Sequence, residues 1–262
     1  VYIAACVIVF VLAYVLNIVT ISVGYHRGLA HGAVHLGARA KRALLALGPW
    51  VTGLDPKAWV VMHRLHHAHS DTALDPHSPV QVGLLGVVRA QLRSYERVII
   101  GLAKRDPAVT RFAADLNFEL SWSVRRPGRW FVPYLVHAAI AVVVGVVVGP
   151  LLGVAWFAGM MSHPVQGALV NALGHAVGAQ NFENGDNSRN NLLTAWLILG
   201  EGLQNNHHHA PASARFSYAP HEVDPGWAVC LVLDALGVVE VQHNSVLPRL
   251  RAPETAAAVA VG

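Results

Sequence analysis

The stretch Met62–Pro79 reads MHRLHHAHSDTALDPHSP and holds five histidines and two aspartates in 18 residues. His63, His66 and His67 fall at i, i+3 and i+4, so on a helix they share one face. Two readings compete. A polar loop in water needs nothing more. A metal site needs further ligands from elsewhere in the chain, on the same side of the molecule.

The surroundings are apolar. Of 262 residues, 54% are hydrophobic and only 13% charged, against about 45–50% and about 25% in soluble domains. Mean hydropathy is positive. This predicts a membrane protein. The chain starts inside the run VYIAACVIVFVLAYVLNIVTISVG, long enough for a bilayer, which takes about 20 residues. No basic segment precedes it, so a cleaved signal peptide is not expected, and the missing initiator Met suggests a truncated start. Trp130–Gly149 and Leu151–Leu173 are two more apolar runs, joined at Gly149-Pro150 and read as a transmembrane hairpin. The expected spans are 1–23, 130–149 and 151–173.

Between them, RALLALGPWVTGL (Arg42–Leu54) is too short to span and reads as an interfacial or tucked helix. Leu84–Leu102 places Arg89, Arg93 and Arg97 on one helical face and apolar residues on the other. That fits a helix lying on a membrane surface, its arginines toward anionic lipid. A short apolar helix is expected near Trp227–Val239, and an Ala-rich tail follows Pro253. Cys6 and Cys230 form neither a disulfide framework nor a CxxC site. The pI of 9.3 comes with few charges and no basic cluster interleaved with aromatics. A membrane surface fits better than nucleic acid.

Charge sets the orientation. All 19 lysines and arginines lie in residues 24–129 or 174–262. Three spans put both segments on one side, and positive-inside makes that side cytoplasmic, with the N-terminus outside. The prediction is a single-domain, all-α integral membrane protein over residues 1–262. Its cytoplasmic helical cap comprises 24–129 and 174–250.

Most of the 16 histidines fall in that cap, in groups. His26 and His31 sit in HRGLAH, and His63, His66 and His67 in HRLHH. Asn171 and His175 sit in NALGH, where the last span ends, and His207, His208 and His209 in GEGLQNNHHHAP. Four groups distant in sequence surface at one membrane face, which a solvated loop has no reason to do. Imidazole suits iron, zinc, copper and nickel. No Glu-x-x-His of carboxylate-bridged di-iron bundles is present. Eight or more imidazoles exceed what one ion uses, so two ions are the natural count. Asp71, Asp75 and Glu201 are placed to offset their charge and orient the ligand N–H groups. Of the rest, His35, His69 and His77 read as surface or supporting groups, His137 and His163 as packing or hydrogen-bonding groups, and His221 and His243 as surface.

HRGLAH, HRLHH and the third group resemble the HxxxxH, HxxHH and HxxHH boxes of membrane fatty acid desaturases. HRLHHAHSDTALDPHSP is similar to the stretch after the second box in acyl-CoA and acyl-lipid delta-9 desaturases, and NALGH to their Asn-plus-His element. The resemblance covers roughly Tyr25 to Asp234 and leans to the bacterial delta-9 type. It implies a non-haem di-iron centre (Fe2+/Fe3+) and O2-dependent insertion of a cis double bond into a long acyl chain. The implied ligands are His26, His31, His63, His66, His67, His175, His207 and His208, with Asn171 holding one iron through a water. The chain departs from the pattern at Gln204, where the third box has its first histidine. Gln204 is then a neutral, weaker oxygen ligand or a supporting group, and His209 is a substitute to consider.

The implied partners are a long-chain acyl-CoA or acyl-lipid, membrane lipid and an external electron donor. No haem-attachment, flavin or Fe–S motif occurs in the chain, so the donor would be a ferredoxin or cytochrome b5-type protein. The acyl chain is expected in an apolar tunnel near Trp59 and the first span, and the active site at the cytoplasmic face of a bacterial inner membrane. Two other classes stay open: a hydroxylase or other oxygenase on the same scaffold, and a non-enzymatic His-rich metal carrier. A transporter would place its ligands near the bilayer midplane, whereas these boxes lie outside the spans.

Overall fold

The computed structural model describes residues 1–125 and 128–242. His243 and the Ala-rich tail lie outside the described residues. Helix α1 (Tyr2–Val19) does not stop near residue 23. It passes without a break into a π-helix, Thr20–Ala30. The joined 29-residue helix is the one helix, among the described residues, long and apolar enough to cross a membrane. Its wide turns close through i to i+5 bonds, as where His31 N–H donates to the His26 carbonyl at 3.1 Å. Such turns are uncommon and concentrate at functional sites. Here they bury Tyr25, His26 and Arg27.

Strand β1 (Val34–Leu36) pairs antiparallel with β2 (Val239–Val241), a small exception to the all-α expectation. Helix α2 (Ala38–Thr52) ends at Gly53, whose φ of 75° favours glycine. Helix α3 (Pro56–His69) starts where Asp55 accepts the Ala58 N–H at 2.8 Å and Pro56 supplies a preset first turn. Helices α4 (Pro79–Val82), α5 (Gly86–Lys104) and α6 (Pro107–Thr110) follow. Helix α5 buries Val87, Gln91, Tyr95, Val98 and Ile99 and exposes Arg89, Arg93 and Arg97, the two faces expected from its pattern. Tyr25, Ala58, Val60, Val61, Tyr95 and Ile99 form the core between the π-helix, α3 and α5. Burial of that face fixes the roll of α3, and therefore where its histidines point.

Helices α7 (Val132–Val147) and α8 (Pro150–Met160) pack on each other and α8 packs on α1. A Cβ at Gly153 would strike the Ala141 backbone, and one at Gly159 would strike Ala13 and Phe10. The expected span 151–173 is not one helix. It breaks at Met161–Ser162 and restarts as α9 (His163–Leu173). Pro164 has no N–H to bond back across the break, so the helix cannot run through. The outer faces of α1, α7 and α8 leave Ile8, Leu12, Val143, Val146 and Val154 exposed, a patch of the kind that meets lipid or a partner. Helices α10 (Leu192–Leu197), α11 (Gln204–His209) and α12 (Pro225–Ala235) complete the chain. The last ends at Ala235, earlier than expected; a turn follows, and β2 begins at Val239.

Candidate metal centre

The four histidine groups meet. His26, His31, His63, His67 and His207 bring one ring nitrogen each within 4.8 Å of one another, and His66, His175 and His208 do the same beside them. Either cluster could hold a metal ion. In the first, the Nε2 atoms of His26 and His67 lie 3.0 and 2.9 Å from His207 Nε2, and those of His31 and His63 are 2.8 Å apart.

The second cluster is more telling. His66 Nδ1–H donates to Asp75 at 3.0 Å, His175 Nδ1–H to Asp71 at 3.0 Å and His208 Nδ1–H to Asp186 at 2.6 Å. A neutral imidazole with its proton on Nδ1 has a bare Nε2. All three Nε2 atoms are buried and have no hydrogen-bond partner. Three inward lone pairs, each with a carboxylate behind it, form a donor set suited to a cation. In the first cluster His26 Nδ1 lies 2.6 Å from Glu201 Oε2.

Those carboxylates are themselves held. Asp71 accepts from Ser78 Oγ and the Asn187 N–H, with its backbone at a φ of 60°. Glu201 accepts from Ser22 Oγ at 2.5 Å and from Arg27 at 2.7 Å. Arg27 is wholly buried, bridges to Asp224 and stacks on Phe216. Glu222 accepts side-chain bonds from Asn181, Asn190 and Asn206, which ties α11 down.

A narrow cleft opens beside both clusters. Trp59 lines it and stacks on His63 with ring centres 5.0 Å apart. Gln204 and Asn171 also line it, together with His66. Gln204 Nε2 donates to the Glu201 carbonyl at 3.0 Å, which leaves the amide oxygen as its other end. His209 is exposed and stacks on Phe182, so it does not replace Gln204. His77 is not at the surface: it is buried against His66 with ring centres 4.7 Å apart. His35 and His221 are exposed, and His69 is half-buried. His137 bonds to Trp50 and Trp156, in keeping with a packing role.

A fatty acid desaturase family model matches residues 3–223. The chain belongs to the fatty acid desaturase family. It is 29% identical over 236 residues to hex-5-enoyl-[acyl-carrier protein] acetylenase of Moorena producens (strain JHB), covering 86% of this chain and 73% of that protein. It is 30% identical over 221 residues to an acyl-CoA 5-desaturase of Anemone leveillei, covering 83% and 65%. It is 28% identical over 221 residues to the sn-1 stearoyl-lipid 9-desaturase of Anabaena variabilis, covering 83% and 76%. The protein is thus an oxidoreductase of fatty acyl desaturation, with a fatty acyl substrate. The family and the long first helix agree on membrane association.

Sequence reasoning missed Asp186, Arg27, Asp224 and Glu222. Asp186 lies 22 residues before its histidine, in ENGDNSRNN, where nothing marks one polar residue above its neighbours. Arg27 follows a box histidine directly, and its adjacency was the one available signal.

The fold favours the neutral form of five of the clustered imidazoles. Burial, then neighbouring histidines, hold His31, His63, His67 and His207 well below the ordinary 6.5. Burial lowers His208 to about 4 against the opposing pull of Asp186. Burial raises Asp71, but the hydrogen bonds from His175, Ser78 and the Asn187 N–H outweigh it and bring the carboxyl to about 2. As pH falls below about 6.5, the unfolded chain takes up protons on these histidines and the folded chain does not. Metal-free protein is therefore expected to lose stability from about pH 6.5 toward pH 4. Melting in detergent with a chelator, from pH 8 to pH 4, checks this; a flat Tm would contradict it.

Proposed function

We propose that the protein is an O2-dependent acyl desaturase that inserts a cis double bond, with delta-9 the leading position, using two iron ions held by the two histidine clusters. His26, His31, His63, His67 and His207 would hold one, and His66, His175 and His208 the other. Gln204 would add an amide oxygen, and Asn171 a water. The observation that carries this reading is the second cluster: three bare, buried Nε2 atoms, each backed by a carboxylate. Iron bound there would supply, with O2 and external electrons, the oxidising power to take two hydrogens from an unactivated acyl chain.

The chain's own residues do the rest. Asp71, Asp75, Asp186 and Glu201 set ring orientation and place each proton on Nδ1. Trp59 and the cleft walls exclude water and hold the acyl chain against the His63 side of the centre. α1, α7 and the α8–α9 pair would be the membrane part, with the remaining segments as a cytoplasmic cap on a bacterial inner membrane. Acyl-CoA or acyl-lipid would be the substrate, and a ferredoxin or cytochrome b5-type protein the donor.

Expression under air in a host without an oxygen-dependent desaturase tests the reading. A new monoene is expected, its double bond mapped by mass spectrometry, and absent with His67→Ala. A hydroxylated product would move the protein to the oxygenase class. Protein that binds zinc and not iron, with no product, would end the proposal.

The two clusters are unequal, with five imidazoles against three. The second ion is expected to leave first in a chelator titration followed by metal analysis. Gln204→His should narrow that gap by about 10-fold or more, since imidazole binds iron better than an amide oxygen. Loss of both ions in one step from the native protein would contradict it.

A further inference from the structure

The cleft is not apolar throughout. At the start of α9, His163 and Gln166 line it one helical turn apart. The Trp59 indole N–H donates to His163 Nε2 at 3.2 Å, so that nitrogen is bare and the neutral ring carries its proton on Nδ1. This Nδ1 is buried and has no partner. Ser162 Oγ–H donates to the Gly159 carbonyl at 2.7 Å, and the same oxygen accepts from Gln166 Nε2 at 2.8 Å. The Gln166 amide is thereby oriented, and its Oε1 is left over. Gln166 is only 2% exposed, and Oε1 too has no partner. The wall thus offers one N–H donor and one oxygen acceptor, both buried.

Next to them, Gly167 keeps the space open. A Cβ there would lie 3.1 Å from Gln91 Oε1 and 3.6 Å from His163 Nε2. A plain hydrocarbon in this cleft would leave both groups unpaired, and buried unpaired polar groups oppose binding. A hydroxyl accepts one hydrogen bond and donates another, and it is the smallest neutral group that satisfies both.

Building on the acyl-desaturase reading, we propose that the acyl group taken by this cleft carries a hydroxyl, bonded by His163 Nδ1–H and Gln166 Oε1. These two side chains set specificity and take no part in hydrogen removal. Trp59 joins the pair to the metal centre: its ring stacks on His63 and its N–H holds His163.

The test is binding to the purified protein in detergent, with a panel of acyl-CoAs and free acids of one length, plain or hydroxylated at successive carbons. One hydroxyl position should bind about 10-fold or more tighter than the plain chain. Gln166→Leu should erase that preference while still binding the plain chain, which also shows that the variant is folded. His163→Phe should do the same. Plain chains binding as tightly as every hydroxylated one would overturn the proposal, the orphaned atoms then being met by water. A Gln166-dependent affinity for plain acyl-CoA but not for the plain free acid would also overturn it, by assigning the pair to an amide of the carrier arm. Failure of every acyl ligand to bind would strike the acyl-desaturase reading itself, a distinct result.

Discussion

His207→Ala is expected to abolish desaturation and to strip the five-histidine site of its ion. His207 is the hub of that cluster, with Nε2 within 3.0 Å of its counterparts on both His26 and His67. It comes from α11, whereas its neighbours come from the π-helix and α3. Its loss removes a ligand and the one contact that ties the third histidine group to the first two at this site. Activity should fall at least about 100-fold, into the background. Metal analysis of purified protein should show about one ion retained per chain, in the second cluster. A variant that keeps two ions and more than a tenth of wild-type activity would show that the clusters are not the metal centre.

Asp186→Asn should have the next largest effect. Asp186 accepts the His208 Nδ1–H at 2.6 Å, and its other oxygen accepts from Ser188. The amide has nearly the same shape, so packing should hold. It lacks the negative charge that makes His208 Nε2 a strong donor, and it can turn its NH2 toward the ring, which would favour the wrong tautomer. Loss of such a supporting carboxylate typically costs about 10–100-fold in metal affinity. Affinity of the second site alone should fall by that amount, read by competition with a chelator. The five-histidine site serves as the internal control. An equal fall at both sites would point to general unfolding instead. An unchanged second site would remove Asp186 from the centre.

Both expectations rest on residues that the sequence displays unequally. His207 stands in a motif, and its chemistry is legible because the His207–His208 pair repeats the paired histidines of His66–His67. Asp186 stands in a polar loop and is legible only after the chain has folded. The same division runs through the whole protein. Local rules act over one or two turns, so periodicity exposes the face of α3 that carries His63, His66 and His67, and the basic face of α5. Apolar length exposes the first helix. It did not expose the break at Met161–Ser162, because α8 and α9 are apolar on both sides of it and only Pro164 hints at the restart.

By itself, then, the sequence determined the helical class, the histidine groups and the carboxylates Asp71, Asp75 and Glu201 beside them. It named His77 as a surface or supporting group but could not show that burial presses it against His66. Only the tertiary structure decided how eight histidines divide into five and three. It also decided that Asp186 backs His208, that His209 turns away, and that His163 and Gln166 line the cleft with unpaired atoms. The physical reason is one of range. Hydrogen-bond spacing and hydrophobic periodicity are written within a few neighbouring residues. The partner of a buried polar atom is fixed by which distant segments the core packs together, and that packing is a property of the whole chain.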